Sequence, residues 1–106
     1  MFRLTTPTHR FIMDIDPTEW TKFIITYSQH DTIVLEKTDA DDHEITVLEP
    51  DKIYALDVKL SQEETALFNP KERAYVQIRC QYESGDTFAS RRLCFKIDNV
   101  TNDTIL

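Results

Sequence analysis

The chain has 106 residues, enough for one domain and too few for a second independent core. Hydrophobic residues make up 41% of it, with six Phe, four Tyr and one Trp, which excludes a disordered chain because that much apolar surface offsets chain entropy. A formal charge of −7 and a pI near 4.8 set it against nucleic acid and anionic membrane surfaces, where binding depends on Lys and Arg.

The opening stretch Met1 to Pro7 has no basic segment leading into a long apolar run, so neither a signal peptide nor a transmembrane helix is expected and a cytoplasmic origin follows. From His9 to Asp14 the residues alternate, with His9, Phe11 and Met13 on one side and Arg10, Ile12 and Asp14 on the other, predicting a first strand. Asp16-Pro17-Thr18-Glu19 reads as a turn or a single helical turn. Trp20 to Ser28, rich in aromatic and β-branched residues, is a second strand. Gln29-His30-Asp31 connects it to a third, Thr32 to Lys37. Thr38 to His43, followed by Glu44, gathers Asp39, Asp41 and Asp42, whose mutual repulsion favours an exposed loop. Glu44 to Leu48 forms a fourth strand and Glu49-Pro50-Asp51 a turn. A half-buried fifth strand then carries Tyr54, Leu56, Val58 and Leu60 on one side.

Ser61-Gln62-Glu63-Glu64 is a capping box that opens a short helix over Glu63 to Phe68, closed by Asn69-Pro70. Leu67 and Phe68 are expected to plug one end of the fold. In Arg73 to Glu83 the apolar side is Ala74, Val76, Ile78, Cys80 and Tyr82, all even; in Thr87 to Asp98 it is Ala89, Leu93, Phe95 and Ile97, all odd. Facing residues of an antiparallel pair share a side of the sheet. One continuous hairpin therefore needs even opposite odd and a two-residue turn, Ser84-Gly85 or Gly85-Asp86. That register puts Cys80 on the apolar face and Cys94 on the polar face with Arg92 and Lys96, so the two cysteines are not expected to bond. About seven strands with one helical turn predict a single domain over residues 1–106, an all-β, antiparallel immunoglobulin-like β-sandwich with one short helical turn. The pattern leaves the strand order open.

Chemistry-bearing constellations are sparse. His9, His30 and His43 lack a second His or Cys at ligand spacing, which sets them against zinc; His9 reads as a strand residue near the surface, the other two as loop residues. The acidic run lacks the glycine and later glutamate of a calcium loop, and reads as a solvated loop. With one glycine the chain can hold neither a Gly-x-Ser-x-Gly elbow nor a glycine-rich phosphate loop. Cys94 beside Arg92 and Lys96 is open to thiolate chemistry, with an ordinary strand cysteine the preferred reading. Glu63 and Glu64 suit the first turn of a helix. Asn99-Val100-Thr101 and Asn102-Asp103-Thr104 fit a glycosylation pattern that matters only on a secreted chain. No catalytic, cofactor or metal residue is assigned, and the chain is expected not to be an enzyme. Interface candidates are Trp20 with Phe23, for which core packing between the sheets is the preferred alternative, and Arg91 with Arg92, which with the acidic loop form two poles of a self-associating surface or a mixed-charge solvated face.

Several blocks carry a resemblance: Thr6-Pro7-Thr8-His9, Ile25-Thr26-Tyr27-Ser28-Gln29, Val34 to Thr38, Val58 to Thr65 with Phe68, Val76 to Arg79, Gly85-Asp86, Ala89-Ser90 and Asp103 to Leu106. Over nearly the whole chain they resemble a family of small uncharacterised proteins of phages and prophages of Gram-positive bacteria. The order of a strand, a Leu-Ser-Gln-Glu helical turn and a hairpin is also similar to the immunoglobulin-like N-terminal module of phage baseplate upper proteins. These resemblances imply a virion or virion-assembly protein without cofactor, present in the virion or in the host cytoplasm during assembly. Its expected partners are other phage structural proteins and copies of itself, bound through strand edges and exposed aromatics. Because the chain stops soon after its last strand, without a fibre or receptor-binding region, the expectation is an adaptor or accessory piece. A phage-encoded acidic inhibitor of a host protein is the alternative, and a small hydrolase or metal enzyme would need a clustered His and Asp pocket that the sequence does not display.

Overall fold

The computed structural model describes residues 1–102 and 104–106; Asp103, which opens the last block of the resemblance and sits within the second glycosylation pattern, lies outside the described residues. Strand β1 (Thr8–Met13) turns His9, Phe11 and Met13 inward and leaves Arg10 and Ile12 exposed, the period-2 pattern of a half-buried strand. Asp16 caps a 3-10 turn over Pro17–Glu19 by accepting from Thr18 N. Strands β2 (Trp20–Gln29) and β3 (Thr32–Thr38) are joined by His30 and Asp31 alone, at φ 50° and 62°. Both lie in the left-handed region that a tight hairpin turn of this hand requires.

Strands β4 (His43–Glu49) and β5 (Ile53–Lys59) form the next hairpin, turning at Asp51, φ 60°. Helix α1 (Gln62–Thr65) is one turn long and carries both halves of the capping box: Glu64 N donates to Ser61 Oγ and Ser61 N donates to Glu64 Oε1. It is shorter than the pattern predicts, and Leu67 is 60% exposed while Phe68 is 1% exposed, so Phe68 alone plugs this end of the core. Strands β6 (Ala74–Tyr82), β7 (Thr87–Ala89) and β8 (Leu93–Phe95) complete the fold.

The strands form two antiparallel sheets, β1-β5-β4 and β3-β2-β6, with β7 and β8 pairing in turn along the free side of β6. Chain order against sheet order matches the immunoglobulin arrangement when β1 to β6 stand for strands B, C, C′, D, E and F, and β7 with β8 for strand G. Among the described residues β1 has no neighbour beyond β5, where strand A would lie. Inward side chains of the two sheets meet in one core, with Ile25 and Tyr27 of β2 and Val76 and Ile78 of β6 facing Leu56 and Val58 of β5. Each such aliphatic side chain contributes about 1.5–3 kcal/mol by leaving water.

The final hairpin departs from the expected single register. Tyr82 O accepts from Gly85 N and Tyr82 N donates to Asp86 O, so the loop is Glu83-Ser84-Gly85, three residues long, with Gly85 at φ 91°. This is a turn followed by a bulge, and it shifts the parity: Cys80 faces Phe88 and Arg79 faces Ala89, even opposite even. Phe88, not Ala89, therefore shares the inner side with Cys80. At Ser90 the chain breaks the ladder. Ser90 N donates to Ile78 O while Ile78 N donates to Ser90 Oγ, and past Arg91 and Arg92 the pairing resumes as Val76 with Leu93 and Ala74 with Phe95, even opposite odd. The parity expected for Leu93 and Phe95 is thus observed in β8, and that for Ala89 is not. Cys80 is buried and Cys94, which faces Tyr75, is exposed on the opposite side of the sheet.

Candidate functional site

One side of the sandwich is open. Between β1, the edge of the three-stranded sheet, and β7 with β8, the edge of the five-stranded sheet, runs an apolar groove. Its main section is a cleft of about 720 Å³ lined by Phe2, His9, Phe11, Val76, Leu93 and Phe95. A section of about 180 Å³ continues it past Met13 and Ile78, and one of about 250 Å³ lies beside Trp20, Cys80 and Phe88. Leu93 is 55% and Phe88 57% exposed.

The backbone of β1 presents a free edge to this groove. Leu60 N donates to Pro7 O at 3.0 Å, and the register continues through Thr8 opposite Lys59 to Met13 opposite Tyr54. Backbone groups of an antiparallel strand alternate in direction, so the odd-numbered residues of β1 bond to β5. The N–H and C=O groups of Thr8, Arg10 and Ile12 point the other way, outward. A row of unpaired N–H and C=O groups beside an apolar trough is the surface to which an extended strand adds.

Thr5, Thr8, Arg10, Asp14, Ser90 and Cys94 add polar groups to the groove's lining, and two further polar groups are buried beneath it. His9 Nδ1 lies 2.6 Å from the Tyr27 hydroxyl, and its ring packs edge-on against Phe95 with centroids 5.8 Å apart. Burial, aided by the Met1 ammonium, lowers the His9 pKa, and burial with the Glu64 carboxylate raises that of Tyr27, so this pair is neutral at pH 7. His9 is therefore an inward residue between the sheets rather than a surface one. The second is the Trp20 indole N–H, which is buried and has no hydrogen-bond partner among the described residues. Arg10 borders the groove on its outer face and donates two hydrogen bonds to Asp57, at 2.9 and 3.0 Å. That bidentate bond, reinforced by the guanidinium charge, holds the Asp57 pKa below the ordinary carboxylate value.

Of the interface candidates, Trp20 borders this groove and Phe23 lies in the core. A one-residue bulge between Trp20 and Lys22 shifts the pairing so that Trp20 faces Tyr82 and turns inward, 6.0 Å from the Phe23 ring. Phe23 is 6% exposed and belongs to the core, because its odd position in β2 faces the opposing sheet. Arg91 and Arg92 are both exposed in the break between β7 and β8, and Arg92 stacks over the Tyr75 ring at 4.4 Å on the outer face. Phe11, Phe88 and Leu93 are groove residues that sequence reasoning did not single out. Phe11 and Leu93 were legible as inward positions of edge strands, whereas Phe88 was hidden by the parity shift.

Elsewhere the polar side chains serve the fold. In the acidic loop Asp39 Oδ1 accepts from Phe23 N and Asp41 Oδ2 from Thr38 N, so two carboxylates secure backbone amides. His43 Nδ1 lies 2.7 Å from Asp41 O, with its ring edge-on to Phe23. Lys37 and Glu64 form an ion pair at 2.6 Å that ties β3 to α1. Burial works to raise the Glu64 pKa, but Lys37 and the Ser61 amide hold it below the ordinary value. The Cys94 Sγ lies 3.8 Å from an Arg73 guanidinium nitrogen. Among the described residues no group of three or more His, Cys, Asp and Glu converges to hold a metal ion, and no helix is long and apolar enough to cross a membrane. No protein-family model, curated protein or solved structure matches this chain.

Proposed function

We propose that this chain is a non-enzymatic protein–protein interaction module of phage particles, a structural or assembly component that docks through its open side. The observation that carries the reading is the free β1 edge lying beside a groove of apolar side chains, a surface built for an added strand rather than for a small substrate. Its polar inventory supports the same reading, since His9 is engaged with Tyr27, Asp57 with Arg10 and Glu64 with Lys37. The phage context rests on the sequence blocks that resemble phage and prophage proteins.

The test is the protein content of purified phage particles and assembly intermediates. The reading expects this chain at a fixed copy number per particle, through successive density gradients. A chain abundant in producing cells but absent from particles and intermediates would contradict it. That outcome would favour the second reading, an acidic inhibitor of a host protein. One feature supports that second reading: Asp39 to Asp51 holds six acidic residues and no Lys or Arg.

A further inference from the structure

The β4 side of the three-stranded sheet and the break between β7 and β8 of the other sheet are opposite in charge. On the β4 side, Asp39 to Asp51 carries Asp39, Asp41, Asp42, Glu44, Glu49 and Asp51 without a Lys or Arg. Flanking the groove, Thr8 to Met13 and Phe88 to Lys96 carry Arg10, Arg91, Arg92 and Lys96 without an Asp or Glu. Arg10 is bonded to Asp57, Lys96 lies 3.6 Å from Asp98 and Asp14 lines the groove, so the basic side is carried by the exposed Arg91 and Arg92. Both β1 and β4 are edges of the same sheet, separated only by β5.

From this we infer that the β1 edge and its groove receive the β4 edge of a second copy of this chain, head to tail. The inference deepens the interaction-module reading, on which it rests, by naming the partner. Strand direction favours the contact: β1 and β4 are each antiparallel to β5, so they run parallel to one another, and a copy displaced along the sheet brings β4 parallel to β1.

Backbone direction agrees. Residues 54, 56 and 58 of β5 bond to β1, which leaves Ala55 and Asp57 to bond to Thr46 and Glu44; His43, Ile45 and Val47 then point their backbone groups to the free edge. In a parallel pair a residue that bonds across the edge lies beside one that does not. Thr8, Arg10 and Ile12 thus lie beside Glu44 and Thr46, which also face the outer side. Both copies keep the same face outward. The contact covers Ile12 and Val47, which are 66% and 54% exposed. Such a head-to-tail contact uses two different surfaces, so repeating it generates a ring or a filament.

The test is the mass of the full chain in solution by light scattering, over a range of concentrations and at low and high salt. The expected result is a mass that grows with concentration in multiples of 12.5 kDa, with an apparent dissociation constant that rises about ten-fold or more at high salt. Two charge reversals on exposed residues separate the poles. Arg91→Glu with Arg92→Glu, and Asp42→Lys with Glu44→Lys, should each give a folded monomer, and mixing the two should restore association. Ile12→Pro, which removes an outward N–H and spares the ladder to β5, should also give a monomer. A mass of 12.5 kDa at every concentration would overturn the inference, as would an oligomer unaffected by either reversal. A monomer that still enters particles in fixed copy number would overturn the second copy as occupant and leave the interaction module standing.

Discussion

At the scale of single residues, half-buried and buried polar groups between the sheets and at their ends each have one job. His9 sits against Tyr27 and Phe95 as a neutral imidazole. Its pKa is lower in the folded chain than in the unfolded one, so the unfolded state takes up a proton first and stability falls as pH drops below the ordinary histidine value of about 6.5. Above that value the contribution is fully present. We expect the urea midpoint to fall between pH 7.5 and 5.5 in the native chain, and the slope to flatten in His9→Phe, measured by Tyr and Trp fluorescence. Gln29 is the second such residue. Its amide donates to Asn69 O and Glu72 O and accepts from Asn69 N, pinning the segment between α1 and β6 to the end of β2. Gln29→Ala should cost about 1–3 kcal/mol in denaturant unfolding, because three backbone groups lose their partner. Neither role was legible from the sequence, where His9 reads as a surface strand residue and Gln29 as part of a turn. Both depend on what the opposite sheet or a distant loop brings near.

At the scale of elements, most of the fold could be read from local pattern because its hairpins are local. Strands β1 to β5 follow period-2 alternation and the turns between them carry Asp and Asn-like punctuation, so their positions agree with the sequence to within a residue or two. The His30-Asp31 turn adopts a backbone better suited to Asn-Gly. Replacing it by His30→Asn with Asp31→Gly should raise stability by about 0.5–1 kcal/mol, seen as an increased midpoint of thermal unfolding. Gly85 is required by φ 91° and not by space, since no atom lies within 4 Å of a Cβ placed there. Gly85→Ala should therefore cost about 1 kcal/mol, and Gly85→Asn less, because Asn tolerates that backbone better. The last hairpin was harder to read because parity arguments assume an unbroken ladder. The three-residue turn and the Ser90 break each shift the register by one, and only the second half returns to the parity the apolar pattern demands.

At the scale of the whole molecule, strand order is what converts a sandwich into a surface. The sequence shows which residues alternate, but not that β1 and β8 end as neighbouring edges of different sheets with a groove between them. Arg91-Arg92 and the acidic loop were legible as groups of opposite charge; that the first lies between β7 and β8 of one sheet and the second leads into the β4 edge of the other appears only in the topology. Trp20 reached the groove through a bulge that no periodicity reports, while Phe23 followed its odd position into the core. Among the described residues no strand pairs with the outer edge of β1, a condition that natural β proteins otherwise blunt with charge, proline or a covering segment. Arg10 supplies such a charge on the outer face, yet Asp57 engages it, so it stands clear of the edge backbone.

The claim that the β1 edge is the working surface is tested most directly by amide hydrogen exchange along β1, followed by NMR in dilute and in associated protein. Phe11 and Met13, bonded to β5, serve as internal references. The account predicts that Thr8, Arg10 and Ile12 exchange rapidly when dilute and become protected on association, while the two references stay protected throughout. Protection of all five amides in the dilute protein, or no change at Thr8, Arg10 and Ile12 when it associates, would contradict it.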